Sequence, residues 1–304
     1  MLSEFDFIQN IKKKYGLKNV GDDCAVLPKD AETDLLVTAD MLVEDIDFRL
    51  EWTVPELLGH KALAVSLSDI AAMGGRPEWA MLSVGVPENL WAGDFLEKFY
   101  EGWQSLANRF DVELIGGDVS RSPDRFFVDS IVGGSVQKGK AILRSTAQRG
   151  DAIFVSGSLG GAAGGLKLLE AGHRNKSLGE PANLLIERQL KPEPRVELGL
   201  MIREIASAMI DLSDGFSSDL AHLCEESNAG AIIEDVPVDP NLFENLDDES
   251  AFEFAFHGGE DFELLFTVPH EKNFAVKDLP VTQVGFITSD AGKIEVIRGE
   301  VKAD

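Results

Sequence analysis

The chain predicts an α/β protein of two domains, and three observations carry the prediction. Strand-length apolar runs alternate with helix-length segments through both halves, the interleaving that builds layered α/β folds. At 304 residues the chain is long enough for two cores. Near the turn Arg149-Gly150-Asp151 one series of elements closes and a new strand begins, which sets a boundary near 140–150 and domains at 1–145 and 146–304.

Taken in order, residues 3–15 read as a short amphipathic helix. Phe5, Ile8 and Ile11 share one side, and Lys12 to Lys14 fill the last turn, where cations complement the helix dipole. Gly21-Asp22-Asp23-Cys24-Ala25-Val26-Leu27 turns into a strand stopped by Pro28. Residues 34–43 form a second strand ending near Asp40, followed by the acidic loop Glu44-Asp45-Ile46-Asp47-Phe48. Pro55 suits the first turn of a helix that Gly74-Gly75 ends. Leu58, Ala62, Val65, Asp69 and Met73 lie on one stripe of it, so a carboxylate sits in line with apolar residues. A strand at Trp79–Val86, a long helix at 90–110 and strands at 112–118 and 126–136 complete the first half.

The second half opens with the strand Ile153-Phe154-Val155. The run Gly157-Ser158-Leu159-Gly160-Gly161-Ala162-Ala163-Gly164-Gly165 reads as a turn and a close-packed helix start. Leu166, not lysine, follows Gly165, and the Rossmann spacing is missing, so neither phosphate loop is indicated. After a polar loop at 173–180 come helices at 181–190 and 194–206, a strand at 208–212 and a helix at 216–227. Strands at 231–236, 262–268, 282–287 and 293–298 close the chain.

One arrangement recurs across these elements: an apolar run, then small residues, then aspartate. It appears at Val112-Glu113-Leu114-Ile115-Gly116-Gly117-Asp118, at Leu35 to Asp40, and at Met209-Ile210-Asp211-Leu212-Ser213-Asp214-Gly215. Gly21-Asp22-Asp23 and Gly258-Gly259-Glu260-Asp261 are near-relatives. Carboxylates delivered repeatedly to strand ends suggest one shared site. No lysine stands beside these motifs in sequence. So many acids share a site only when divalent cations neutralise them, and all-oxygen ligands select magnesium or manganese over zinc. Magnesium bridges phosphates, and the neighbouring glycines leave room for phosphate oxygens, so the residues point to metal-dependent phosphate chemistry.

The composition agrees. Fifty-three acids against 28 Lys plus Arg give a formal charge of −25, which argues against nucleic acid and anionic membranes as partners. Two cysteines 200 positions apart form no disulfide framework, and five scattered histidines offer no zinc spacing. Neither a signal peptide nor an apolar run of membrane-spanning length is present, so a cytoplasmic protein is expected.

Gly21 to Ala25, Lys61 to Gly74 with Asp69 inside it, Leu114 to Asp118, Ile210 to Gly215 and Gly258 to Glu263 resemble the thiamine-monophosphate kinase family, in order and spacing, over nearly the whole chain. That family belongs to a superfamily with aminoimidazole ribonucleotide synthetase, selenophosphate synthetase and a hydrogenase maturation factor. The resemblance implies an α/β (α+β) subunit with an N-terminal mixed-sheet domain that pairs into a homodimer, and a C-terminal α/β domain completing the active site. It also implies transfer of the ATP γ-phosphoryl group to thiamine monophosphate.

By the same resemblance Asp23, Asp40, Asp69, Asp118, Asp211 and Asp214 bind several Mg2+ ions, assisted by Thr38 and the carbonyl of Ala39. Tyr100, Gly117, Asp118, Arg144 and Ser213 match ATP contacts, with Arg144 and Asp118 serving the transfer itself. Glu260 and Asp47 match contacts to the thiamine substrate. Two departures stand out: the family commonly has histidine at Asp47, and commonly ends in a glycine-aromatic-Asp-His-Phe tail where this chain reads Val301-Lys302-Ala303-Asp304. The reactive cysteine of selenophosphate synthetase, with its lysine, and the C-terminal cysteine of the maturation factor have no counterpart. The alternative of another class is a non-catalytic acidic protein that binds divalent metal or nucleotide.

Overall fold

The computed structural model describes residues 4–244 and 246–297. The N-terminal half carries α1 (Glu4–Tyr15), β1 (Ala25–Pro28), β2 (Thr33–Val43), α2 (Pro55–Ala72), β3 (Arg76–Val86), α3 (Glu88–Trp91), α4 (Phe95–Arg109), β4 (Glu113–Arg121) and β5 (Phe127–Gln137). Its five strands lie in the order β1-β2-β5-β3-β4, antiparallel except for the β3–β4 pair, so the sheet is mixed. The C-terminal half carries β6 (Ala152–Ser156), α5 (Gly161–Glu170), α6 (Glu180–Leu190), α7 (Val196–Ile202), β7 (Ala208–Asp211), α8 (Phe216–Glu226), β8 (Gly230–Ile233), α9 (Asp248–His257), β9 (Leu264–Val268), β10 (Val281–Thr288) and β11 (Ile294–Val296). Its six strands run β11-β8-β10-β6-β9-β7, with β11–β8 the parallel pair. The Phe5 side chain and the terminal segment Val301–Asp304 lie outside the described residues.

Helix α2 is the element around which both halves pack. Proline opens it, and Gly74, at φ +65°, ends it with its N–H on the Ala71 carbonyl. The single apolar stripe expected from its sequence understates its surroundings. From Leu58 to Ala72 every residue is buried except Asp69. The helix lies on β2 and β5, against α4, and against α7 and β7 of the other half, so apolar residues all round it find partners. One core therefore runs through both halves, joining Leu36, Leu63 and Val132 to Phe154, Met209 and Phe266. The α2 and α4 backbones touch: a Cβ at Gly59 or Gly102 would fall 1.9 Å from the carbonyl oxygen of Phe99 or Glu56.

Several expected boundaries move. The strand read as ending at Gly116-Gly117-Asp118 runs straight through to Arg121, whereas β2 ends at Val43 as its expected span of 34–43 has it, with Asp40 three residues before that end. Of the two glycines of β4, Gly117 serves close approach and not a turn, while a Cβ at Gly116 would meet no atom within 4 Å. Gly117, at φ +152°, would place a Cβ 1.9 Å from the Leu82 carbonyl oxygen, beside a register shift between β3 and β4. The expected 90–110 helix divides at Gly93 into α3 and α4, and the 194–206 helix is confined to α7. Helix α9 was not expected, although Asp247 caps it by accepting the Ser250 N–H at 2.8 Å.

Candidate active site

Three segments distant in sequence meet at one acidic centre. Asp23 comes from the turn before β1, Asp69 from the one half-buried position in the last four turns of α2, and Asp211 from the last position of β7. Each offers a carboxylate oxygen, and these lie within 4.8 Å of one another. Hydroxyls hold the acids in place. Thr38 donates to Asp69, Ser68 Oγ donates to Asp211 at 2.7 Å, and Ser66 Oγ donates to neighbouring Asp40 at 2.7 Å. The β1 ladder on β2 stops at Val37, so the Thr38-Ala39-Asp40 stretch faces the cleft along that edge, with Ala39 paired to Ile131 on the other.

The Arg144 side chain enters this centre as a cation. The Arg144 guanidinium lies 2.5 Å from Asp23 Oδ1, and its backbone N–H is bound by Asp22 at 2.8 Å. That balance is far from neutral. Burial, reinforced by Asp40, Asp211 and Asp23, pushes the Asp69 carboxyl well above the ordinary range. Burial, then Asp23, pushes Asp211 up to about 8. Asp23 and Asp40 move in the same direction, again chiefly through burial. Asp23 Oδ2 is buried without a hydrogen-bond partner. An orphaned carboxylate oxygen within a cage of hard oxygen donors fits a divalent cation of the magnesium class.

Two cavities adjoin the expected site residues. One, of about 560 Å³, is lined by Asp40, Asp47, Trp52, Ser213, Asp214 and Glu260, and so brings expected metal and substrate residues together. Asp47 is engaged within its own loop, where its Oδ2 accepts the Val43 N–H at 2.7 Å. The Ser213-Asp214-Gly215 turn is held by Asp219, which accepts the N–H groups of Asp214 and Gly215 at 3.1 and 3.0 Å. Burial, then the charge of Asp211, pushes Asp219 up to about 9. The second cavity, about 340 Å³ and largely apolar, lies between the β3–β4 pair and α4, lined by Leu82, Phe99, Tyr100, Gly117 and Asp118. Asp118 is thus not among the three clustered carboxylates. It stands in mid-strand opposite Ser83, beside Tyr100 and Gly117.

The glycine run has an internal explanation. At the start of α5 the Gly160 and Ala162 N–H groups donate to the Asp261 carboxylate at 2.5 and 3.0 Å, so a side chain takes the place an anion would fill. Four further residues, Arg195, Glu263, Lys61 and Gln189, were not among the expected site residues. Glu263, wholly buried, binds the Arg195 guanidinium through both oxygens. Lys61 and Gln189 converge on Glu260, the lysine Nζ at 2.9 Å. The proximity of Lys61 to Asp69 along one helix was the available signal.

Comparison with known proteins agrees with this geometry. Residues 21–136 match the family model described as AIR synthase related protein, N-terminal domain, and residues 148–296 match its C-terminal domain. A thiamine-monophosphate kinase of Buchnera aphidicola (Schizaphis graminum) is 34% identical over 312 residues, covering 99% of this chain and 94% of the relative. That of Salmonella typhimurium is 40% identical over 268 residues, covering 88% and 80%. A solved structure described as AaThiL complexed with AMPPCP and TMP superposes with a TM-score of 0.89 at 32% identity, covering 100% of this chain and 96% of that one. With its acidic centre shared between two AIR synthase related domains, the chain belongs to the thiamine-monophosphate kinase family.

Proposed function

We propose that this chain is a cytoplasmic, magnesium-dependent kinase that transfers the γ-phosphoryl group of ATP to thiamine monophosphate, giving thiamine diphosphate and ADP. The convergence of Asp23, Asp69 and Asp211 carries the reading, because three ionised carboxylates so close are stable together only around cations. The relative bound to AMPPCP and TMP supports ATP and thiamine monophosphate as the two substrates. Among the described residues no helix is long and apolar enough to cross a membrane.

The residues divide the work. Asp23, Asp40, Asp69, Asp211 and Asp214, with Thr38 and the Ala39 carbonyl, hold Mg2+, and Asp118 adds a carboxylate from β4. Bound Mg2+ neutralises the phosphates of donor and acceptor so that two polyanions can approach. Tyr100 and Gly117 line an apolar cavity suited to a flat base, and Ser213 borders the phosphate path. Arg144 steadies charge that develops on the transferring group. No general base is required, since a phosphate monoester has its second pKa at about 6 and its oxygen is already anionic at neutral pH. Residues 1–145 form the nucleotide, metal and pairing domain, and 146–304 complete the site. Strand β4 borders β3 alone and leaves Ile115 and Val119 exposed, an edge that a second copy covers in a homodimer.

Magnesium-dependent ADP release is expected with thiamine monophosphate and not with thiamine. It should also fall as pH drops through about 6, following the acceptor's own ionisation. Equal rates with both acceptors would contradict direct transfer to phosphate. Asp47→Asn should raise KM for thiamine monophosphate roughly three- to tenfold, the effect of a part-exposed charge worth about 1 kcal/mol, with KM for ATP unchanged. The difference should shrink at high ionic strength, and an unaltered KM at low salt would remove Asp47 from the acceptor site.

A further inference from the structure

Lys61 is a rare kind of residue, an ammonium buried within a helix. Its side chain is 3% exposed, and it lies two turns before Asp69 on α2. A buried ammonium must be paired. Lys61 Nζ lies 2.9 Å from Glu260 Oε1 and donates to the Gln189 backbone carbonyl at 3.3 Å. The Gln189 side-chain amide donates to the other oxygen of Glu260. Two elements therefore grip one carboxylate, α2 from the N-terminal half and α6 from the C-terminal half, while the loop before β9 carries it.

The gripped residue is itself held in a costly conformation. Glu260 has φ +66° and Phe262 φ +49°, left-handed values that non-glycine residues adopt only when the surroundings impose them. The backbone is tied down as well, through Glu260 N–H on the Ser213 carbonyl and Phe262 N–H on the Leu212 carbonyl. The Glu260 side chain keeps 29% exposure and lines the 560 Å³ cleft. Along α2 the step from Asp69 to Lys61 is eight residues, about 12 Å of helix axis. The same helix thus sets the acidic centre at one end of the cleft and the Glu260 carboxylate at the other.

We infer that Lys61 is a positioning residue, which with the Gln189 amide orients Glu260 toward the cationic heterocycle of the phosphorylated acceptor. The inference rests on the proposed function in taking thiamine monophosphate as that acceptor. Lys61 does not touch the acceptor. It acts by fixing a carboxylate that accepts N–H groups or faces the ring's positive charge.

The test is a double-mutant cycle on the full chain with Lys61→Met, Glu260→Gln and the pair, measuring kcat, both KM values and Tm. The expected result is a rise of about tenfold in KM for thiamine monophosphate in each single variant, with KM for ATP and kcat within about twofold. The double variant should be no worse than the worse single, because the lysine acts through the glutamate. Multiplied effects in the double, an unchanged acceptor KM in Lys61→Met, or a parallel loss in ATP affinity would each overturn the inference. If Lys61→Met does not fold, Gln189→Met removes the second arm of the grip while leaving the ion pair. It should raise the acceptor KM about threefold, but not in a Glu260→Gln background; a rise in that background overturns the inference. Wild-type protein that turns over no thiamine monophosphate would refute the proposed function itself, a result readable before any variant is made.

Discussion

Asp69→Ala and Asp211→Ala are each expected to lower kcat for ADP release by a hundredfold to a thousandfold, the roughly 3–4 kcal/mol attached to a lost electrostatic contact at a reacting phosphate. The effect is large because each residue supplies one of three carboxylate oxygens gathered within 4.8 Å. The same substitutions remove a carboxylate from a mutually repelling group, so without metal the variants should be at least as heat-stable as the parent. Stability preserved while turnover collapses separates a ligand from a structural acid. Near-parental kcat at saturating Mg2+ would take both residues out of the site.

The second large effect is a dependence of stability on pH that Mg2+ reverses. A carboxyl whose folded-state pKa lies above its unfolded value of 3.8 holds its proton more tightly in the folded chain. Its contribution is complete below about pH 4 and is lost as pH rises through the folded value. Burial, then neighbouring acids, puts that value at about 8 for Asp211 and about 9 for Asp219. In EDTA, Tm should therefore decline from pH 6 to pH 9. One such group loses about 3 kcal/mol across two pH units, and roughly 2–4 °C per kcal/mol gives a fall of roughly 6–12 °C. If these acids hold Mg2+ as proposed, it binds their deprotonated form and displaces their protons, so its stabilising effect should grow with pH. Thermal unfolding at several pH values with EDTA and with Mg2+ measures both trends. A Tm that is flat in EDTA, or raised equally by Mg2+ at every pH, would mean that these acids titrate as ordinary surface carboxyls.

Much of the site was legible in the chain because its signal is local. An apolar run ending in small residues and an aspartate marks a place where a carboxylate meets a backbone bend or a close approach; the motifs around Asp40, Asp118 and Asp211 show it, those around Asp23 and Glu260 resemble it, and Asp69 is marked instead by its place on an apolar helix stripe. The same local signal misled on strand ends. A glycine pair looks identical whether the chain turns or another backbone lies against it, and at Gly117 only the Leu82 carbonyl decides. Helix α2 shows the same limit: heptad-like spacing reveals one apolar stripe, but not that both halves of the protein press on the helix.

The sequence by itself determined the interleaved α/β character, the division of strands between two halves, and the acids proposed to carry the chemistry. These follow from periodicity and residue type, which are properties of neighbours along the chain. Tertiary structure alone decided which acids meet: Asp23, Asp69 and Asp211 at one centre, with Asp118 beside Tyr100 at another cavity. It also decided that Asp261 caps α5, and that Lys61, distant by 199 positions, holds Glu260. The physical reason is range. A buried charge is compensated by whatever group packing brings within a few ångströms, and that partner leaves no mark beside it in the sequence.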